Sequence, residues 1–231
     1  MNRTLAFTRE QLRMPFTLAL LVVVPIAFIF SAASVLHDFS RVLGGSLAGN
    51  AAVGLSAGWA GAFLSGTLGF FASSSSRGAD CRLALAGVGP VRVALSRIVA
   101  SMALSTIAAT AAFVALLLQS DLAHPWHAAI AIIAFAWLYL GVGVAVGSVV
   151  TGPLEGSLIV VFVFILDVFS GPGMAAAAAP WAISRTAARV LIAAGLGRPT
   201  SIADWITLGV TTMIALTGSF AVFAFSARRR S

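Results

Sequence analysis

The sequence predicts an all-α membrane protein of six transmembrane helices, with an N-terminal interfacial helix and an extracytoplasmic re-entrant helical segment between spans five and six. Three observations predict it. Hydrophobic residues make up 60% of the 231 residues and charged residues only 9%, whereas a soluble domain is about half apolar and about a quarter charged. Mean hydropathy is +1.03, so the solvent for most of the chain is lipid. The charges fall between long uncharged runs, each near the roughly 20 residues a helix needs to cross the hydrocarbon core. Residues 1–231 read as a single transmembrane domain.

The first span is placed at residues 16–36. Pro25 kinks it, because its ring blocks one backbone hydrogen bond. This run is longer than the apolar part of a signal peptide and is followed by further spans, so it reads as retained. The second span lies at 49–72, within a longer uncharged stretch. Gly45/Gly49 and Gly54/Gly58 have small-xxx-small spacing, with Gly61, Ser65 and Gly66 beyond. Such residues let helix backbones approach closely in lipid; the alternative is a face that lines a substrate path. Residues 73–97 form the longest polar connection.

The third span is placed at 98–118. The fourth, at 128–150, carries a second small-xxx-small pair, Gly143/Gly147. Residues 151–156 read as a tight turn around Pro153 and Glu155. The fifth span, 157–170, is short, and Gly171-Pro172-Gly173 breaks it. An Ala-rich piece then leads to Pro180-Trp181 and to Arg185 and Arg189. Broken apolar helices survive at membrane depth only where protein or a water cavity covers the backbone. Residues 171–194 therefore read as a re-entrant or interfacial excursion. The last span is 205–226.

The formal net charge is +7, carried by 14 basic residues, all of them arginine. A basic balance can signal nucleic acid. Here the arginines sit between apolar runs, which suits anionic headgroups and topology instead, so no nucleic-acid partner is expected. One side holds Arg3, Arg9, Arg13, Arg77, Arg82, Arg92, Arg97 and Arg228 to Arg230. The other holds Arg41, Arg185, Arg189 and Arg198. The positive-inside rule puts the larger set in the cytoplasm. Six spans return the C-terminus to that side, giving a multi-pass protein of the cell (inner or plasma) membrane with both termini cytoplasmic. Cys81 is the only cysteine, so no internal disulfide forms.

No catalytic constellation is visible, and the chain is not expected to be an enzyme. His37, His124 and His127 fall in turns without metal-ligand spacing, so no metal site is expected. No GxSxG accompanies the serines. A P-loop needs a lysine to reach the terminal phosphates, and the chain has none. If transport is ATP-driven, the ATPase is a separate chain.

Asp167 is the one ionisable group well inside an apolar stretch. A charge in lipid is costly and usually faces a bundle interior, a partner or water. Asp167, Ser170 and Gly171 are thus candidate pathway residues; the alternative places Asp167 near the interface of a short half-helix. Residues 1–14 mix Leu5, Phe7, Leu12 and Met14 with Arg3, Arg9, Glu10 and Arg13. That suits a helix lying along the cytoplasmic interface, or an ordinary positively charged flank. Within 77–97, a short helix over 80–86 carries Leu83 and Leu85, and Gly87 and Gly89-Pro90 stop it. This loop is the best candidate for a partner contact; the alternative is a solvated loop that fixes topology.

Taken in order, these features resemble the permease subunit of a type-2 ABC exporter over nearly the whole chain. A basic segment leads through Arg13-Met14-Pro15 into a span with Pro25 at its centre. The loop after the second span has an acidic residue, a short leucine-containing helix and a Gly/Pro turn, Asp80 to Pro90, then Arg92 to Arg97. Glu155 follows the fourth span, near where the family carries an Asn-x-Glu-like turn. Ser170-Gly171 and Pro180-Trp181 resemble the Ser-Gly and Pro-x-Trp pattern around the family's re-entrant helices. Asp80 stands where relatives commonly carry Glu, and the re-entrant region is unusually Ala-rich.

The resemblance implies a permease domain that pairs with a second permease, as a homodimer or with a sister chain. Two ABC ATPase subunits, holding the ATP and Mg, would bind beneath, leaving no cofactor on this chain. The coupling contacts would be Asp80, Cys81, Arg82, Leu83 and Leu85, together with Arg3, Phe7, Arg9 and Arg13 of the interfacial helix. Substrate would leave through the dimer interface near spans two and five. Its class (drug, lipid, glycan, peptide or ion) is not legible. The rival readings are a stand-alone secondary transporter, which would want several intramembrane ionisable groups, and a non-transporting membrane scaffold.

Overall fold

The computed structural model describes residues 23, 26–27, 30–31, 35, 37–45, 47, 49–75, 90–150, 152–174 and 178–228. These form helices and turns, with no strand among the described residues. After a helical stretch at 37–42 come α1 (Asn50–Ser75), α2 (Pro90–Gln119), α3 (Pro125–Val149), α4 (Pro153–Ser170), α5 (Arg185–Gly195) and α6 (Ile202–Arg228). Five of them, all but α5, are long and apolar enough to cross a membrane. The protein is therefore a multi-pass membrane protein. Most of the first expected span and all of residues 1–14 lie outside the described residues.

Three helices open on proline: Pro90, Pro125 and Pro153. The ring fixes a helical φ, and the missing N–H belongs to the first turn, where it would have no intrahelical partner. Two expected boundaries move for this reason. Pro90 does not close a polar loop reaching to residue 97; it begins α2, so Arg92 and Arg97 ride on the helix. Likewise Pro153 and Glu155 belong to the first turn of α4, where a carboxylate complements the helix dipole, rather than to a separate turn. α2 has 30 residues and so extends about 45 Å. That exceeds the roughly 30 Å hydrocarbon layer, which leaves its arginine-bearing end free to reach the interface.

α1 is the centre of the bundle. In its most apolar stretch 72% of residues are buried, against 28% in α4 and α6. It packs along α3, and also against α2, α4 and α5. The α1–α3 contact is close because glycines face it. A Cβ added at Gly69 would lie 2.6 Å from the Leu140 carbonyl oxygen, and one at Gly147 would lie 2.6 Å from the Phe70 carbonyl oxygen. One at Gly143 would collide with the Gly66 carbonyl. The expected pair Gly143/Gly147 is thus a packing face, as its spacing implied. Also on α1, Gly66 and Gly69 meet α3, while Gly58 meets both α5 and α3: an added Cβ would lie 2.5 Å from Leu191 Cδ1 and 3.2 Å from Phe135 Cδ2.

Many hydroxyls in the spans find partners within the protein. Hydroxyls of Thr67, Ser73, Thr106, Ser148 and Thr212 donate to carbonyls one turn back in their own helices. Other bonds cross between helices: Ser105 Oγ donates to Ser65 Oγ at 2.7 Å, and Trp137 Nε1 donates to Thr106 Oγ1 at 3.2 Å. The outward faces of α4 and α6 are apolar, with Leu154 79%, Leu158 67%, Phe162 61%, Ile202 79% and Ile214 64% exposed. Such ridges suit lipid or a membrane partner and not water.

Replacing Gly143 by Leu should force α1 and α3 apart and abolish monodisperse protein in detergent. Gly143→Ala should cost about 1–3 kcal/mol by overpacking. Gly218, which has nothing within 4 Å of an added Cβ, serves as control: Gly218→Ala should be neutral or slightly stabilising. Size-exclusion profiles after graded heating report all three, and equal tolerance of Gly143→Ala and Gly218→Ala would contradict the close crossing.

Candidate functional site

The carboxylate foreseen within the fifth span sits on the buried stripe of α4. Gly156, Val160, Phe164, Asp167 and Val168 recur at helical spacing and turn inward. Asp167 is only 2% exposed, so its side chain is enclosed by the protein, in the last turn of α4. Its partners are neutral donors. The Tyr139 hydroxyl of α3 donates to Oδ2 at 2.6 Å, and the Ser184 backbone N–H donates to both oxygens, at 3.2 and 3.3 Å.

Aromatic packing fixes the tyrosine. Its ring meets Phe164 edge-on at 5.6 Å and stacks on Phe135 at 6.3 Å, while Phe63 leans on Phe164 at 5.1 Å. A phenol held this way presents its hydroxyl at one place, and a carboxylate is the acceptor that gains most from it.

Ser170 and Gly171 join Asp167 in the same task. The Ser170 carbonyl accepts a hydrogen bond from Ala179 N–H at 2.9 Å. Gly171 caps α4 in an extended conformation, and Met174 N–H closes a turn onto its carbonyl. Gly173 follows at φ 84°, a left-handed conformation that glycine tolerates. So the last turn of α4 holds the returning chain twice: through the Ser170 carbonyl at Ala179, and through the Asp167 side chain at Ser184, the residue before α5. Ser184 is fully buried, and its Oγ has no hydrogen-bond partner among the described residues; nor has Arg185 Nε, also buried.

The three pathway candidates are therefore brought together, as the support of the segment that leads into α5. Asp80, Cys81, Arg82, Leu83 and Leu85 lie outside the described residues, as do Arg3, Phe7, Arg9 and Arg13. Sequence reading missed Tyr139 and Ser184. One signal pointed to the first: Tyr139 is the only tyrosine, set in an apolar span that also needed a hydrogen-bond partner for its hydroxyl.

α5 is amphipathic, burying Ala187, Val190, Leu191 and Ala194 against α1 and α3. Its exposed side carries Arg189, which pairs with Asp204 at 2.8 Å. Asp204 in turn is bonded to Ser201 at the start of α6. Its N–H donates to Ser201 Oγ at 3.1 Å, and the Ser201 hydroxyl donates to Asp204 Oδ2 at 2.8 Å. No known protein family matches this chain, and no curated protein matches it.

Tyr139→Phe should cost about 1–2 kcal/mol, the loss of one hydrogen bond to a charged acceptor. Asp167→Ala should cost about 3 kcal/mol, because it strands two buried donors. The pair shares a bond, so the double variant should cost less than the sum of the singles. Thermal unfolding of the four proteins in one detergent checks this, and strict additivity would mean the two side chains do not interact.

Proposed function

We propose that this chain is the permease subunit of an ATP-driven, type-2 ABC exporter: a membrane channel half that couples a partner's nucleotide cycle to movement of a substrate out of the cytoplasm. The observation that carries the reading is the construction between the last two spans. α4 ends at Ser170-Gly171, the chain is tied back beneath it, Pro180-Trp181 lies in a turn, and the short amphipathic α5 packs on the bundle before α6 begins. This follows the order of the family's Ser-Gly and Pro-x-Trp features around its re-entrant helices.

Other features agree with it. The end carrying Arg92, Arg97 and Arg228 is taken as cytoplasmic, which makes the Asp167 end extracytoplasmic. α2 outruns the hydrocarbon layer on the cytoplasmic side, where the connection holding Asp80 and Arg82 would meet an ATPase. The absence of lysine, which a P-loop needs, agrees with ATP hydrolysis on a partner. Of the two spans expected to flank a permease pair, α4 offers the larger exposed apolar ridge, and α1 is mostly enclosed; pairing through α4 follows. The subunit performs no bond chemistry in this scheme. Asp167 serves as a fixed support that lets the α5 segment move with α4 as one body.

Asp80→Arg and Arg82→Glu should each weaken ATPase binding about tenfold or more, as expected for reversing a charge at an interface. Co-purification with the ATPase and substrate-stimulated ATP hydrolysis are the readouts. If both stay at wild-type level, this loop is not the coupling contact. If the purified chain alone pumps substrate on ATP, the subunit reading fails altogether.

A further inference from the structure

We propose that the hollow between the start of α1 and α5 binds the headgroup of an anionic phospholipid from the surrounding bilayer. The hollow has a volume of about 580 Å³. Leu47 and Ala51, each 2% exposed, form its floor with Ile192 and Ala193; Arg189 and Arg198 reach it from the α5 side. The inference needs only a protein seated in a bilayer and does not rest on the exporter reading.

Arg198 is positioned by backbone geometry. α5 ends in a Schellman motif: Leu196 N–H donates to the Ile192 carbonyl at 3.0 Å, Gly197 takes φ 65°, and Arg198 N–H donates to the Ala193 carbonyl at 2.8 Å. Only glycine adopts that φ without penalty, so the turn fixes where the Arg198 side chain starts. Arg189 is steadied by Asp204, one of whose oxygens is already taken by Ser201. Two guanidinium groups thus stand against one carboxylate, leaving a net positive charge over an apolar floor. A guanidinium fork matches phosphate oxygens in pairs and gives up its hydration more readily than an ammonium.

Depth selects the occupant. Ala51 is the second residue of α1, and α6 begins at Ile202, four residues past Arg198, so the hollow lies where the spans leave the apolar layer. That is the level of lipid phosphates. A neutral lipid would not need the arginines, and a free anion would not need Leu47, Ala51 and Ile192. Leu196, which also lines the hollow, is 46% exposed and offers an apolar contact to the acyl end of a lipid. The guanidinium groups supply the charge-assisted bonds to the phosphate, and the apolar floor takes the glycerol end of the lipid.

The full chain, purified in dodecyl maltoside, is titrated with dioleoyl phosphatidylglycerol, with thermal unfolding and native mass spectrometry as readouts. The lipid should raise the unfolding midpoint by roughly 5–10 °C near saturation and survive as a bound adduct. Arg198→Gln, on an exposed side chain whose backbone bond is kept, should weaken binding about tenfold and at least halve the shift. Arg198→Lys should retain more of it. Ala193→Trp fills the floor without changing charge and should also lower binding; should that variant not stay monodisperse, the two Arg198 variants decide. An equal shift with phosphatidylcholine overturns the proposal, as does an equal shift with inorganic phosphate alone. So does an undiminished shift in Arg198→Gln, or binding of dodecyl phosphate without binding of phosphatidylglycerol.

Discussion

The structure depends on how closely α1 and α3 approach. In lipid no hydrophobic force drives two apolar helices together; dispersion contacts and interhelical hydrogen bonds must do it, and both need short separations. Gly66, Gly69, Gly143 and Gly147 remove the side chains that would hold the backbones apart. Around that contact the remaining helices find their places. α2 joins through the Ser105–Ser65 bond and the Trp137–Thr106 bond. α6 lies against α3 where Gly141 faces the Ala215 carbonyl, 2.8 Å from the position of an added Cβ. α5 seats Leu191 over Gly58 of α1.

The Asp167 cluster is the polar counterpart of this packing. A carboxylate enclosed among apolar side chains is destabilising unless donors surround it, and here the donors come from two other parts of the chain. That makes the cost conditional: it is met only when α3, α4 and the segment before α5 are all in place. A buried polar group used this way selects one arrangement among several that apolar packing alone would tolerate. Ala179 is tied to the Ser170 carbonyl and Ser184 to Asp167, so the chain entering α5 is held to the last turn of α4 at two places.

The end of the bundle near α5 differs in character from the faces of the spans. The faces of α4 and α6 are plain apolar ridges. The end gathers Arg189, Arg198, Asp204 and the capping residues into a charged rim above an apolar hollow. It is here that the molecule can tell one headgroup from another, while the ridges can only meet hydrocarbon or another helix.

Much of the architecture was legible in the residues. Uncharged runs of the right length located the five spans among the described residues, since a backbone in lipid must satisfy its own hydrogen bonds and a helix does so within one segment. Asp167, an ionisable group in an apolar run, was marked out as needing partners, and the break at Gly171-Pro172-Gly173 followed from local chemistry too. The starts of α2 and α4 did not, because proline both ends and begins helices, and only the fold decides which. Partnership between Tyr139 and Asp167, 28 residues apart, was beyond sequence, as was how the α1 glycines are shared between α3 and α5. Hydropathy and spacing are properties of a single helix; which faces meet depends on the crossing of two, and that geometry exists only once the chain has packed.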